Sequence, residues 1–122
     1  MKDEKDVKQQ DLQKRTKEFA IAVIRMVSQL PKTTEIQVIA KQLLRSGTSV
    51  GAQYAEAKRA KSNKDFITKI EGALQELEET IYWLDLLAEV EQSQKEKTTK
   101  LSSEADELIA IFVTIVKKVK TK

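Results

Sequence analysis

Two glycines in the middle of this sequence raise the question of whether it binds a nucleotide. Gly47 and Gly51 are two of the chain's three glycines and lie in LLRSGTSVGAQYAEAKRA, residues 43–60. A phosphate-binding loop of the Walker type follows a strand and ends in Gly-Lys-Ser or Gly-Lys-Thr. Here Gly51 is followed by Ala52 and Gln53, and no strand pattern precedes it. We therefore predict no nucleotide site at these glycines.

Carboxylates are a second group that could perform chemistry, because a helical bundle can aim several of them at two metal ions. The candidates are Glu56, Glu71, Glu76, Glu78, Glu79 and Asp85. The sequence has no histidine and no cysteine, so it lacks the usual metal ligands and the nucleophile–histidine pairs of hydrolases. We predict a solvated acidic face, or salt bridges to basic residues, in a non-enzymatic protein with no cofactor and no metal site.

Basic residues offer a third chemistry, which is contact with the phosphates of a nucleic acid. Residues 41–69 carry seven basic groups and two acidic ones, and the last six residues, KKVKTK, carry four lysines. The predicted surface for RNA or DNA consists of Lys41, Lys58, Arg59, Lys61, Lys64 and Lys69. Stacking on bases is not indicated. The alternative is a solvated face with salt bridges such as Arg59 to Glu56.

Four amphipathic helices must position these residues. Apolar residues recur at i, i+3 and i+4 spacing over about 11–30, 35–60, 63–92 and 99–119. Thr34 and Gln37 are spaced as a capping box, and Ser62 or Asn63 can cap the third helix. Residues 1–10 are charged and aperiodic, and we expect them to be disordered or frayed. The short connections predict an all-α protein, an up-and-down antiparallel four-helix bundle over residues 11–122.

The second helix is predicted to run unbroken through both glycines. Its apolar stripe keeps the same phase from Ile36 to Ala57, whereas a loop at residues 46–51 would have reset it. Each interior glycine costs about 1 kcal/mol relative to alanine. We expect this cost to be offset by close approach of a neighbouring helix at Gly47 and Gly51.

Some apolar residues do not fit a single core. Tyr82, Trp83, Leu86 and Val90 point away from the main stripe of the third helix. Their clustering favours a second buried surface, used for self-association or for a partner. The alternative is scattered surface hydrophobes, which are normal. No apolar run approaches the length of a membrane span, and no signal peptide is visible, so we expect a cytoplasmic protein without membrane contact.

Residues 45–87 contain four short motifs in a fixed order. They are Arg45-Ser46-x-x-Ser49-Val50-Gly51-Ala52, Glu56-Ala57-x-Arg59, Lys64-Asp65-Phe66 and Ala73-Leu74-x-Glu76-x-x-Glu79-Thr80. In order and spacing these motifs resemble a family of small bacterial four-helix-bundle proteins, first noticed as reading frames inside intervening sequences of 23S ribosomal RNA genes. Gln53 stands where asparagine is common in that family. The flanking helices match the family in pattern only.

The resemblance implies an architecture and a set of partners. Members of the family look like homopentamers, which form a ring with a central channel. A related branch is the accessory protein of diversity-generating retroelements, a basic pentameric barrel that binds nucleic acid and a reverse transcriptase. By resemblance we expect a ring-like homopentamer that binds RNA or DNA, and a reverse transcriptase or another protein as a further partner. The alternative function is a protein–protein scaffold or adaptor without nucleic-acid binding, engaged through the acidic stretch 71–91 or the outer apolar residues.

Three residues of the shared motifs are predicted to lie at the interface between subunits. Arg45, Ser49 and Glu56 lie opposite the core stripe of the second helix, although they belong to the shared motifs. A polar face of this kind is expected at a subunit boundary. We therefore predict that Arg45 and Glu56 make polar contacts between subunits. Trp83 and Leu86 would bury the apolar part of the same interface, with Tyr82 and Val90 beside them.

Overall fold

The protein is described by a computed structural model that covers the backbone of residues 4–121 and the side chains of residues 12–121. It has four α-helices and one short 3-10 turn, and residues 4–121 contain no strand. The helices are α1 (Glu4–Ser28), α2 (Thr34–Lys58), α3 (Asn63–Val90) and α4 (Lys95–Lys120), with the 3-10 turn at Gln92–Gln94. The all-α fold class with four helices is confirmed.

Two predicted helix starts are too late. Helix α1 begins at Glu4 rather than near residue 11. Charged and amide side chains are good helix formers even without an apolar stripe. The part of the predicted frayed segment over residues 1–3 lies outside the described residues. Helix α4 begins at Lys95 rather than near residue 99, because the polar first turn packs inward through buried Thr98.

The predicted cap of α2 is wrong by one residue. Thr33, and not Thr34, is the N-cap, and its hydroxyl accepts a hydrogen bond from the Ile36 amide at 3.4 Å. The Gln37 side chain does not close a capping box but donates to the Pro31 carbonyl at 3.0 Å. For α3, Ser62 is the cap, and its hydroxyl accepts from the Asp65 amide at 3.0 Å.

The glycine pair forms a notch in α2 that receives α1. A Cβ atom on Gly47 would lie 2.9 Å from the Val23 Cγ2 atom, and one on Gly51 would lie 3.2 Å from the Thr16 hydroxyl. No described residue has a positive φ angle, so these glycines are needed for space and not for backbone freedom. Both predictions for this region are confirmed: α2 is one unbroken helix, and a neighbouring helix approaches it closely at the glycines.

A hydrogen bond inside the core fixes the register of α2 against α3. The hydroxyls of Ser46 and Thr80 lie 2.9 Å apart, and both residues are fully buried. Ser46 donates its hydroxyl proton to the Gln42 carbonyl at 2.9 Å, so its oxygen accepts from Thr80. The single hydroxyl proton of Thr80 is shared between Ser46 and the Glu76 carbonyl at 2.7 Å. Buried polar groups are costly unless satisfied. The pair therefore favours one alignment of the two helices over a slipped one.

Contacts between helices show which of their ends lie together. Lys58, the last residue of α2, contacts Gln13 in the first half of α1. The rings of Tyr54 in α2 and Phe112 in α4 lie 5.7 Å apart between centroids. Lys120 of α4 pairs with Glu71 of α3 at 3.7 Å. One end of the molecule thus combines the α2–α3 turn with the end of α4. No described helix has the length and apolar character to cross a membrane.

Candidate nucleic-acid interface

One end of the molecule carries a cluster of basic side chains, called the basic end below. Its members are Lys58, Arg59, Lys61, Lys64, Lys69, Lys117, Lys118 and Lys120. All of them are exposed except Lys69, which is partly buried. Five come from the α2–α3 turn and its flanking helices, and three come from the last turn of α4. The fold thus brings the C-terminal lysines next to the basic residues predicted from the middle of the sequence.

The carboxylates at the basic end already have partners within the chain. Glu56 pairs with Lys69 at 3.5 Å, and Glu71 pairs with Lys120 at 3.7 Å. Asp65 accepts a hydrogen bond from the backbone amide of Lys61 at 3.4 Å. Glu56 and Glu71 therefore do not neutralise the remaining cations of the cluster, and Asp65, which forms no salt bridge with the described side chains, can offset one of them.

Six cations at the basic end make no salt bridge with any side chain of residues 12–121. They are Lys58, Arg59, Lys61, Lys64, Lys117 and Lys118, and they are called the free cations below. Lys58 contacts the Gln13 side chain and lies 5.9 Å from the centre of the Tyr54 ring, which leaves its charge uncompensated. An anionic ligand could therefore pair with these groups without breaking an existing salt bridge.

Two of the six predicted nucleic-acid residues do not join the free cations. Lys41 lies in the first half of α2, and the 17 residues that separate it from Lys58 span about 25 Å of helix. Lys69 is at the basic end but is engaged by Glu56. The alternative, a salt bridge from Arg59 to Glu56, does not form; Glu56 pairs with Lys69 of the facing helix instead. The other four predicted residues are brought together.

The opposite end of the molecule, called the far end, has balanced charges. Its basic side chains are Arg25, Lys32, Lys95, Lys97 and Lys100, and its acidic ones are Glu35, Asp85, Glu89, Glu91 and Glu96. Lys100 lies 3.8 Å from Glu96, and Lys97 donates to the Gln29 side chain at 3.0 Å. Among the described side chains, the positive surplus is therefore confined to the basic end.

A polar cluster joins α2 to α3 near their middle. The Arg45 guanidinium donates to Glu76 at 3.3 Å and also to Glu79, and the Trp83 indole donates to Glu79 at 3.4 Å. The hydrogen bond from Arg45 lowers the pKa of the Glu79 carboxyl. The same bond raises the pKa of Arg45. Sequence reasoning missed this pairing, although Arg45, Glu76 and Glu79 all belong to the shared motifs.

The partners of Arg45 and Glu56 bear on the predicted subunit interface. Arg45 is engaged by Glu76 and Glu79, and Glu56 is engaged by Lys69, so both polar groups are satisfied within one chain. Ser49 donates to the Arg45 carbonyl at 2.6 Å within its own helix. These contacts explain the motif residues without a second subunit. An additional role of the three residues at a subunit boundary stays a prediction.

Apolar side chains are exposed on the outer side of α2 and α3, towards the far end. Val38, Tyr82 and Val90 are 56–57% exposed, whereas Trp83 and Leu86 are partly buried against the core. The Tyr82 and Trp83 rings meet edge to face at 5.1 Å. Antiparallel pairing outward from the Ser46–Thr80 contact brings Val38 level with residues 86–90. These five residues are called the apolar patch below; Val38 was missed because it lies alone on its helix.

The carboxylates considered for metal binding are used elsewhere or point to solvent. Glu56, Glu71, Glu76 and Glu79 form the salt bridges described above, which confirms that part of the prediction. Glu78 and Asp85 are exposed. Within residues 12–121, no three carboxylates are arranged to hold a metal ion.

Similarity to known proteins extends over most of the chain. The model of the family described as 23S rRNA-intervening sequence protein matches residues 8–114. The chain belongs to this family. It is similar to the crystal structure of a protein of unknown function from the S23 ribosomal protein family of Bacteroides thetaiotaomicron. That protein is 36% identical, with a TM-score of 0.80 over 86% of this chain and 97% of the other. No curated protein matches the chain.

In this member of the 23S rRNA-intervening sequence family, residues of the first motif make contacts between helices. The first motif supplies Arg45, Ser46 and Gly51, which contact Glu76, Thr80 and Thr16 respectively. These three motif residues therefore help to set the alignment of α1, α2 and α3. The free cations and the apolar patch lie mostly outside the shared motifs.

Proposed function

We propose that this protein is a non-enzymatic, self-associating bundle that binds RNA or DNA through its basic end. The observation that supports this proposal is the group of six free cations beside carboxylates that are already paired within the chain. Such a surface binds phosphates because each contact releases a condensed counterion from the nucleic acid. The formal net charge of +3 and the pI near 9.0 agree with an anionic ligand.

The ligand is tested by charge reversal at the two ends. Lys58→Glu/Arg59→Glu/Lys61→Glu removes half of the free cations. Lys95→Glu/Lys97→Glu/Lys100→Glu makes the same charge change at the far end and serves as the matched control. We expect fluorescence anisotropy to show at least a 100-fold loss of RNA or DNA affinity for the first variant and less than a fivefold loss for the second.

Salt dependence provides the second arm of that experiment. The affinity of the native protein should fall steeply between 50 and 200 mM salt, since a contact set of this size typically loses about 10³-fold or more over that range. Equal losses in the two triple variants, or an affinity that salt does not change, would contradict the proposal.

Self-association is proposed to use the apolar patch. Apolar side chains this exposed and this close together lose contact with water when a second subunit covers them. The homopentameric ring implied by the resemblance would repeat the basic end five times, and linked copies of a weak site bind more strongly than one. Light scattering on Tyr82→Ser/Val90→Ser should give the 13.9 kDa mass of a single chain. An unchanged oligomeric mass would contradict this use of the patch.

A protein–protein scaffold is the second candidate, and the apolar patch is what favours it. Glu78, Asp85 and Glu89 are exposed on the same helix as Tyr82 and Val90, and they form no salt bridge among the described residues. An acidic and apolar face of this kind could hold a basic protein partner. Salt-insensitive capture of one purified partner, lost in Tyr82→Ser/Val90→Ser, would favour the scaffold. The reverse transcriptase partner implied by the resemblance and the cytoplasmic location stay predictions.

A further inference from the structure

We infer that the basic end recognises double-stranded nucleic acid, DNA or RNA, through its phosphates alone. The inference rests on the proposed function, because it names the form of nucleic acid that the free cations would bind. Three features carry it: the burial of the aromatic residues near the basic end, the density of phosphate charge on a duplex, and the spread of the free cations over an end face.

Aromatic side chains near the basic end are not available to stack on bases. Tyr54 is 3% exposed, with its ring against Phe112, and Phe66 is partly buried against the core. The most exposed aromatic residue of the described chain is Tyr82. It lies 19 residues along α3 from Asn63, which corresponds to about 28 Å of helix. A ligand held at the basic end therefore meets cations without an aromatic platform.

Binding of single strands without sequence preference generally depends on such platforms. The proteins that bind this way combine a positively charged groove with aromatic rings on which successive bases stack. A single strand at the basic end would gain the electrostatic attraction but not the stacking. Its exposed bases would also have no exposed aromatic side chain at the basic end on which to stack.

A duplex suits a purely electrostatic surface better than a single strand does. Double-stranded DNA carries one charge per about 1.7 Å of its axis, compared with about 3.4 Å for each strand alone. Each cation that contacts a duplex also releases more of the condensed counterions, with a salt slope of about −0.9 per contact against about −0.7 for single strands. At moderate salt, the same set of cations should therefore bind the duplex more tightly.

The placement of the free cations agrees with a rigid ligand lying across the end of the molecule. Lys58, Arg59, Lys61 and Lys64 come from the α2–α3 turn and its flanks, while Lys117 and Lys118 come from the neighbouring α4. Packed helices lie about 8–10 Å apart, so the charges are spread over an end face. The cleft beside it, between Gln53 and Gly72, has Lys69 as its one cation, and Glu56 engages that lysine.

The test compares two forms of one sequence. Anisotropy would be measured with the full chain at about 100 mM salt on four labelled probes: a 24-base-pair DNA duplex, the same RNA duplex, and one single strand of each. We expect both duplexes to bind at least tenfold more tightly than their single strands. A scrambled duplex should bind within twofold of the original. Equal or tighter binding of the single strands would overturn the inference.

Other outcomes separate this inference from the proposed function. A tenfold effect of scrambling, or binding of one duplex type alone, would show recognition beyond the phosphates and would also overturn it. Failure of the proposed function gives a different result: no probe binds, or Lys58→Glu/Arg59→Glu/Lys61→Glu binds all four as the native chain does. The far-end variant Lys95→Glu/Lys97→Glu/Lys100→Glu should keep the duplex preference.

Discussion

The basic end and the far end are built from the same four helices, yet they differ in how their charges are compensated. At the basic end, Glu56 and Glu71 are paired within the chain, and six cations remain without a salt bridge among the described side chains. At the far end, acidic and basic groups are balanced, and the apolar patch lies beside them. The two ends differ mainly in their balance of charges, which is eight basic against three acidic side chains at the basic end and five against five at the far end. This difference predicts that an anion binds at the basic end.

A second lesson is that the two surfaces are separated along α2 and α3. The core contact between Ser46 and Thr80 and the Arg45 cluster lie between them. A change at one surface should therefore leave the other intact, unless the alignment of the helices is lost.

Filling the glycine notch should destabilise the bundle and thereby disturb both the basic end and the apolar patch. Gly47→Val would place its Cβ 2.9 Å from Val23 Cγ2, and overpacking of a core typically costs about 1–3 kcal/mol. Thermal unfolding followed by circular dichroism should show a fall in Tm of several degrees. The matched control is Ala52→Val, which adds the same side chain at an exposed position of α2. Equal Tm values for the two variants would contradict the close approach of α1.

Removing the apolar patch should separate assembly from binding. In Tyr82→Ser/Val90→Ser the oligomer is expected to dissociate, because two of its most exposed apolar side chains become polar. The affinity of each chain for a short duplex should stay within about threefold, while binding to a long duplex should weaken through the loss of multivalency. A large loss of affinity for the short duplex would mean that the two surfaces are coupled.

Single lysine variants test whether a lysine that is already paired with a carboxylate contributes to phosphate binding. Lys61→Gln removes a free cation, whereas Lys69→Gln removes a cation already engaged by Glu56. Loss of one phosphate contact should reduce the salt slope of binding by about 1, and we expect this for Lys61→Gln. Lys69→Gln should leave the slope nearly unchanged. If the two variants behave alike, pairing within the chain does not select the binding residues.

The smallest expected effect is that of acid pH on the stability that the hydrogen bond between Arg45 and Glu79 contributes. The pKa of Glu79 is lowered in the folded chain by its hydrogen bond from Arg45. The resulting stabilisation is fully present above the pKa of a glutamate in an unfolded chain, about 4.3. It is lost as the pH falls through the lower pKa of Glu79 in the folded chain. Because both side chains are partly exposed, the effect is modest. The difference in Tm between the native chain and Arg45→Gln should narrow between pH 6 and pH 3, and a constant difference would contradict this.

The helices and the glycine notch could be predicted from the sequence because they depend on local patterns. The apolar phase through Gly47 and Gly51 indicated one helix, and the cost of two interior glycines indicated a close neighbour. That α1 fills the notch depends on tertiary packing and could not be read from spacing. The start of α4 was missed because Thr98 is polar in type but occupies a core position.

The sequence predicted that the candidate site consists of basic residues, but it did not predict correctly which basic residues belong to it. A local run of basic residues predicted Lys58, Arg59, Lys61 and Lys64. The pattern could not show that Lys69 would be neutralised by Glu56 from a facing helix. It also grouped Lys41 with the others, because sequence proximity does not show that about 25 Å of helix separates it from Lys58.

The salt dependence of duplex affinity would show whether phosphates are bound by the free cations of the basic end. It would be measured for the native chain, for Lys58→Gln/Arg59→Gln/Lys61→Gln and for Lys95→Gln/Lys97→Gln/Lys100→Gln. At about −0.9 per phosphate contact, we expect the first variant to lose about 2.7 from the slope of log K against log salt. The second variant should keep the native slope. Equal losses in the two variants, or a native slope close to zero, would show that the basic end does not bind phosphates.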